Sequence, residues 1–311
     1  MGNYPIHPDF EPWSRMRTPI SRPMLAVMQP LMGLLFAREK STPELRVERL
    51  RIPVGGATIR ALLYSPAALE GPAPCLIDYH GGGYVFPAAP YHYELARIYA
   101  LRAGCRVLFP DYRLAPKHPF PTAPEDAYAV YTWALASADR LGVDPARVAV
   151  GGDSAGGTLA TVVGLMAAER GASLPRAQML LYPAAGQGDS VTESMRLFTD
   201  TPMCNSRDAE KYDKLYMADP SAGKPEYAAP LKAPSLAGQP QAYVETAEFD
   251  CLRDGGILYA QRLEAEGVPA ELHQTKGTMH GFDIVMEKSA IVRVCIDDRV
   301  TFLKRIFETA G

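Results

Sequence analysis

From about residue 46 onward the chain alternates between short apolar runs and helix-length amphipathic segments, and this alternation limits the possible folds more than any other feature. Short apolar runs bounded by turn residues read as buried strands. They fall at 75–79, 106–109, 147–150, 179–182, 242–246 and 270–274. Ahead of them, 46–54 and 57–64 flank Gly55-Gly56 and read as a hairpin. A helical pattern at 124–141 opens with Pro124 and the acids Glu125 and Asp126, as a first turn favours. Another spans 157–170. A third, 255–266, keeps Ile257, Leu258, Ala260 and Leu263 on one side and stops at Gly267. The last helical stretch, 292–307, either covers the sheet or serves a homodimer. Strands separated by helices imply an α/β fold, with a mostly parallel eight-stranded sheet and helices on both faces.

Two stretches depart from the alternation. The first is the N-terminal segment, 1–45; the second is an excursion at 186–236, rich in Met, Tyr, Pro and charge. In an open α/β sheet ligands bind at the carboxyl ends of the strands, and long insertions there tend to cover the crevice. The expected organisation is therefore an N-terminal cap segment (1–45) and a core (46–311), with 186–236 adding a cap insertion. Within the first segment, Met24, Leu25, Met28, Leu31, Met32 and Phe36 form an apolar set that can either line a pocket or anchor the cap.

Composition excludes several classes. The 311 residues are 47% hydrophobic and 22% charged with a formal net charge of −3, so no basic face for nucleic acid is expected. The five cysteines, at 75, 105, 204, 251 and 295, are scattered and odd in number, without metal-ligand spacing. Reduced thiols in a cytoplasmic protein are the simplest reading. Met1-Gly2-Asn3-Tyr4-Pro5 does not lead into a signal-peptide pattern. The early apolar stretch 24–36 is interrupted by Pro30 and too short to span a bilayer.

Two motifs carry chemistry. Val148-Ala149-Val150 runs into Gly151-Gly152-Asp153-Ser154-Ala155-Gly156-Gly157, and a helical pattern follows at once. A Gly-x-Ser-x-Gly between strand and helix is the context of a nucleophile elbow; by itself the pentapeptide would equally suit a tight turn without chemistry. The turn lifts the serine hydroxyl clear of the sheet and sets it at a helix N-terminus, where free N–H groups favour negative charge. Upstream, Cys75-Leu76-Ile77 leads to Asp78-Tyr79-His80-Gly81-Gly82-Gly83-Tyr84. Three consecutive glycines cost backbone entropy. Backbone donors that must approach an oxyanion without intervening side chains give a reason for them.

Together these motifs resemble the hormone-sensitive-lipase family of carboxylesterases (bacterial family IV), built on the α/β-hydrolase fold. The resemblance extends to Asp111-Tyr112-Arg113-Leu114-Ala115-Pro116, Pro119-Phe120-Pro121 and Glu125-Asp126-Ala127-Tyr128, and covers roughly 45–305. Arg113 and the two acids are expected to pair structurally. The resemblance implies oxyanion donors at the N–H groups of Gly82, Gly83 and Ala155, with Gly81 shaping the turn and His80 bracing the loop.

A serine hydroxyl needs a base, and imidazole suits near-neutral pH. His7 lies in the N-terminal segment, His92 begins a helical pattern, His118 sits among prolines and His273 falls inside a strand-like run. His280, in Gly277-Thr278-Met279-His280-Gly281-Phe282 after the last strand, is the candidate base, and the family carries a His-Gly-Phe here. The acid is sought after an earlier strand, in Ala247-Glu248-Phe249-Asp250-Cys251-Leu252-Arg253-Asp254. Glu248 and Asp254 compete with Asp250, although Asp254 suits a helix N-cap. The family resemblance selects Asp250. This chain departs from the family at Cys251, where proline is usual.

The resemblance thus implies a serine carboxylesterase acting on short-chain esters through Ser154, His280 and Asp250, with no metal or organic cofactor and a small-molecule ester as its partner. An amidase or peptidase with the same residues, a long-chain lipase and a non-catalytic hydrolase-fold binding protein are the competing classes.

Overall fold

The computed structural model describes residues 4–16, 20–187 and 190–308. The expectation of no leader rests partly on Met1-Gly2-Asn3, which lie outside the described residues. Among the described residues eight strands form one sheet: β1 (Leu45–Val54), β2 (Ala57–Pro66), β3 (Ala73–Tyr79), β4 (Arg106–Asp111), β5 (Val143–Asp153), β6 (Ala177–Leu181), β7 (Gln241–Phe249) and β8 (Ala270–Met279). Their spatial order is β1-β2-β4-β3-β5-β6-β7-β8. The hairpin β1–β2 is antiparallel, as is β2 against β4; every later pairing is parallel. The central strands are covered on both sides, every residue of β3 and β6 being buried, which is why they read as continuous apolar runs rather than alternating ones.

The helices in chain order are α1 (Arg22–Arg38), α2 (Pro90–Ala103), α3 (Thr122–Ala136), α4 (Ala138–Leu141), α5 (Ala155–Arg170), α6 (Glu193–Leu197), α7 (Ser206–Tyr216), α8 (Arg253–Ala265) and α9 (Ala290–Glu308). The pattern read as one helix at 124–141 is two, α3 and α4, separated at Ser137. Two apolar clusters lie on the faces of the sheet, one built around α3, α5 and α8 and the other around α2 and α9. Helix α9 turns Val292, Ile296, Val300, Leu303 and Phe307 inward, and so covers the sheet. Among the described residues no helix is long and apolar enough to cross a membrane.

Pro30 does not break α1, which runs through it. Tertiary contacts outweigh the local cost: Leu25 and Phe36 are buried, and Gln29 donates from Nε2 to the carbonyls of Val85 and Ala115, both at 2.8 Å. The apolar set of this helix divides by direction. Leu25 and Phe36 anchor it, Met28 and Met32 face the cavity described below, and Leu31 is exposed. The family-like segment after β4 is structural. Arg113 makes a bidentate pair with Asp126, while Glu125 binds Arg170 instead.

Candidate active site

Ser154, Asp250 and His280 are each the residue directly after a strand, β5, β7 and β8 respectively. Parallel strands bring these three ends to one edge of the sheet, and the side chains meet there. His280 Nε2 lies 2.9 Å from Ser154 Oγ, and His280 Nδ1 lies 2.7 Å from Asp250 Oδ2. Asp250 is fully buried, and its other oxygen accepts the N–H of Leu252 at 2.9 Å. Both competing acids are engaged elsewhere. Glu248 accepts from Gly277 N at 2.7 Å, and Asp254 accepts from Ser194 N at 2.7 Å. Asp254 is not the N-cap expected of it: α8 begins one residue earlier, at Arg253, with Leu252 in the cap position.

Ser154 has φ 53 and ψ −119, an unusual conformation for a residue with a side chain. Such strain costs on the order of 1–3 kcal/mol and must be held by its surroundings. Here the Ser154 N–H donates to Leu181 O at 2.8 Å, and its carbonyl accepts from Thr158 N and Ala184 N. The turn is also packed too closely for side chains: a Cβ on Gly156 would fall 1.8 Å from the Tyr79 carbonyl oxygen.

The glycine loop after β3 lies against this turn. Gly81 N donates to Asp153 Oδ1 at 2.7 Å. Gly82 adopts φ +109, which only glycine takes without strain, and its carbonyl accepts from Val85 N and Phe86 N. Among the described residues the N–H groups of Gly82 and Gly83 have no protein acceptor. Ala155 is the first residue of α5, where helix N–H groups lack an intrahelical partner. His80 stacks on Tyr112 at 4.4 Å with its Nδ1 2.7 Å from Gly81 O, and burial drives its pKa down to about 4, so it is neutral. It braces the loop and does not reach Ser154.

Several residues around the site gave no sign in the sequence. His92, passed over as the start of a helix, contacts Asp153 through Nε2 at 3.1 Å, while its Nδ1 accepts the N–H of Ala89 at 2.8 Å. Burial works against charge on both partners. Their mutual attraction outweighs it, raising the imidazole pKa and lowering that of the carboxylate. Tyr182, after β6, sets its ring 5.0 Å from that of His280 and donates to Asp283 Oδ2 at 2.7 Å. Beneath it Arg299, fully buried, binds Asp283 and Glu245. No sequence period links these positions; only the strand order unites them. For His280 itself, burial opposes the charge, but the Asp250 carboxylate prevails and raises the pKa to about 9.

A cavity of about 880 Å³ opens over Ser154 and His280. Gly82, Gly83 and Ala155 line its floor side, and Met28, Met32, Met195 and Met203 supply flexible apolar wall. Both irregular stretches therefore contribute to it. No group of three or more potential metal ligands is gathered among the described residues.

A sheet of this order, with a serine on a tight strand-to-helix turn at its carboxyl edge, is an α/β-hydrolase arrangement. Comparison with known proteins agrees: the sequence family described as alpha/beta hydrolase fold matches residues 76–284. The chain is similar to the esterase LipI of Mycobacterium tuberculosis, 36% identical over 260 residues that span 83% of this chain and 80% of that one. It is also similar to ethyl acetate hydrolase of Pseudomonas putida, 34% identical over 73% of this chain and 72% of the relative. Among solved structures, the carboxylesterase EstE1 from a metagenomic library aligns with a TM-score of 0.84 at 35% identity, covering 93% of this chain and 98% of that one. The protein belongs to the α/β-hydrolase family, among its hormone-sensitive-lipase-like members, and is a carboxylic ester hydrolase.

Proposed function

We propose that Ser154 is the nucleophile, His280 the general base and Asp250 the acid that orients it, in a two-step hydrolysis of short-chain carboxylic esters. The hydrogen-bonded chain from Ser154 Oγ through His280 to Asp250, open to the cavity at the serine end, carries this reading. Ser154 attacks the ester carbonyl as His280 Nε2 takes its proton. The tetrahedral oxyanion is received by the N–H groups of Gly82, Gly83 and Ala155, each donor worth roughly 3–4 kcal/mol in the transition state. His280 protonates the departing alkoxide, leaving an acyl-enzyme. Water activated by the same imidazole then releases the acid. Asp250 keeps Nδ1 protonated and stabilises the imidazolium without taking the proton. In this scheme α1 and the 186–236 stretch act as a cap over the pocket.

The preference for small, fairly apolar acyl groups is supported by the methionine-rich wall and by the likeness to a relative named for ethyl acetate. A reducing, cytoplasmic setting is part of this reading, on the ground that the five cysteines are scattered and odd in number. The test is hydrolysis of p-nitrophenyl esters from acetate to palmitate, with Ser154→Ala as control. Cleavage that peaks at short chains and is lost in the control is the expected result. A peak at long chains would make the protein a lipase, and no cleavage by the folded protein would move it to the amidase or binding-protein classes.

A further inference from the structure

One feature of the site has no part in this chemistry: two thiols beside the proposed acid. Cys251 directly follows Asp250 and replaces the proline usual in the family, and it is fully buried. Cys204, 47 positions away on the 186–236 stretch, packs against it in a small cluster closed by Phe198. Both residues form part of the cavity wall. The cluster joins two segments that are otherwise tied by Ser194, whose hydroxyl donates to the Cys251 carbonyl at 2.9 Å and whose N–H donates to Asp254. The remaining cysteines, Cys75, Cys105 and Cys295, are not part of this cavity wall.

We infer that Cys204 and Cys251 form a peroxide-oxidisable dithiol in the wall of the ester site, and that their disulfide disables the site. The inference about activity rests on the proposed triad; the crosslink itself does not. Cys204 is the attacking sulfur, since it retains 7% exposure while Cys251 has none. The neighbouring Cys251 thiol lowers the Cys204 pKa against the opposing effect of burial, and the Cys251 thiol is pushed up by Cys204 and by its own burial. Hydrogen peroxide enters by the substrate's route. The Cys204 thiolate attacks one peroxide oxygen, the O–O bond breaks, and the departing hydroxide takes a proton to become water, leaving a sulfenic acid. The Cys251 sulfur then attacks the Cys204 sulfur. The S–O bond breaks, the S–S bond forms, and hydroxide leaves with the Cys251 proton as a second water. Two electrons pass from the sulfurs to the peroxide, and no other reactant is needed.

A disulfide draws its sulfurs to about 2.05 Å, well inside van der Waals contact. The movement falls on the residue next to Asp250, whose hydrogen bond to His280 is 2.7 Å. Misplacing a catalytic group by about 1 Å can cost about 10²-fold in rate. The experiment treats the full chain with hydrogen peroxide and measures intact mass, disulfide-mapped peptides and p-nitrophenyl butyrate hydrolysis, before and after dithiothreitol. A mass loss of about 2 Da, a peptide linking Cys204 to Cys251, a rate fall of about 10²-fold and recovery on reduction are expected. Cys204→Ala and Cys251→Ser, each compared with its own untreated rate, should lose the reversible component.

Peroxide exposure that yields no Cys204–Cys251 peptide overturns the inference, whether or not the variants fold. So does a crosslinked protein that retains its rate, or a loss that dithiothreitol cannot reverse and that Cys204→Ala shares, which would point to the pocket methionines. If untreated protein cleaves no ester, the proposed function fails while the peptide map still decides whether the dithiol forms.

Discussion

Replacing Asp250 by Asn separates an orienting carboxylate from a merely adjacent one. In the folded protein His280 titrates at about 9, against 6.5 for an unperturbed imidazole, although burial alone would push it the other way. At about 1.4 kcal/mol per tenfold, that difference is about 3 kcal/mol of preference for imidazolium over imidazole. The reaction requires this imidazolium in the transition state for acylation, so loss of the charge should cost at least about 10²-fold in kcat. Asn can also hold the ring in the wrong tautomer, with Nε2 protonated toward Ser154, and the equivalent change in a protease triad costs about 10⁴-fold. The pH profile adds a second readout. The base works when neutral, so wild-type kcat/KM should climb through neutral pH and level off above about 9. With the charge gone, burial dominates and the limb should move to lower pH while the plateau drops. The assay is p-nitrophenyl butyrate hydrolysis from pH 5.5 to 10, with Ser154→Ala subtracted as the blank. A loss of less than tenfold with an unmoved limb would refute the assignment. If Asp254→Asn or Glu248→Gln proved severe instead, the acid would be reassigned.

Other perturbations test the supports of the site. Arg299→Met leaves the buried carboxylates of Glu245 and Asp283 without their cation and should destabilise the fold by about 3–5 kcal/mol, read from urea midpoints; a change below about 1 kcal/mol would show the network to be dispensable. Gly156→Ala should give little folded protein, because its Cβ meets the Tyr79 carbonyl at 1.8 Å; a variant with normal expression and activity would refute the packing account. Burial, followed by the charge of Asp153, raises the Asp78 pKa to about 7. The folded state therefore holds a proton that the unfolded chain has lost between about pH 4 and 7, and stability falls as pH rises through that window. Asp78→Asn should flatten this dependence and gain up to about 4 kcal/mol over wild type above pH 8, measured by denaturant titration at pH 5 and pH 8; parallel curves would refute it.

The strand pattern located the site better than it located the helices. The central strands announce themselves because a doubly covered strand must be apolar along its whole length, and the site residues follow β5, β7 and β8 with no residue between. Helix limits depend on contacts far away in sequence. α1 continues through Pro30 because Gln29 grips the carbonyls of Val85 and Ala115, which sequence spacing cannot show. Arg299 illustrates the opposite difficulty. In a linear reading it is one of several charges on the last helix, yet it is wholly enclosed with two carboxylates drawn from β7 and the short 3-10 helix Phe282–Lys288 after His280.

The same distinction explains why the glycine loop and its supports differed in legibility. A glycine triplet declares that side chains must be absent there, but nothing in it names the partner that fixes its position. That partner is Asp153, inside the elbow itself, which holds Gly81 N through one oxygen and meets His92 from 61 residues upstream. One carboxylate thus couples the serine turn to the loop facing it. Strain at Ser154 and the N–H groups of Gly82 and Gly83 are then held by one local network. A residue between the two glycines of an elbow is bound to touch whatever loop packs on that turn, so its identity carries information about the loop. Read that way, an acid at 153 requires a donor set opposite it, and the N–H of Gly81 with the imidazole of His92 supplies that set.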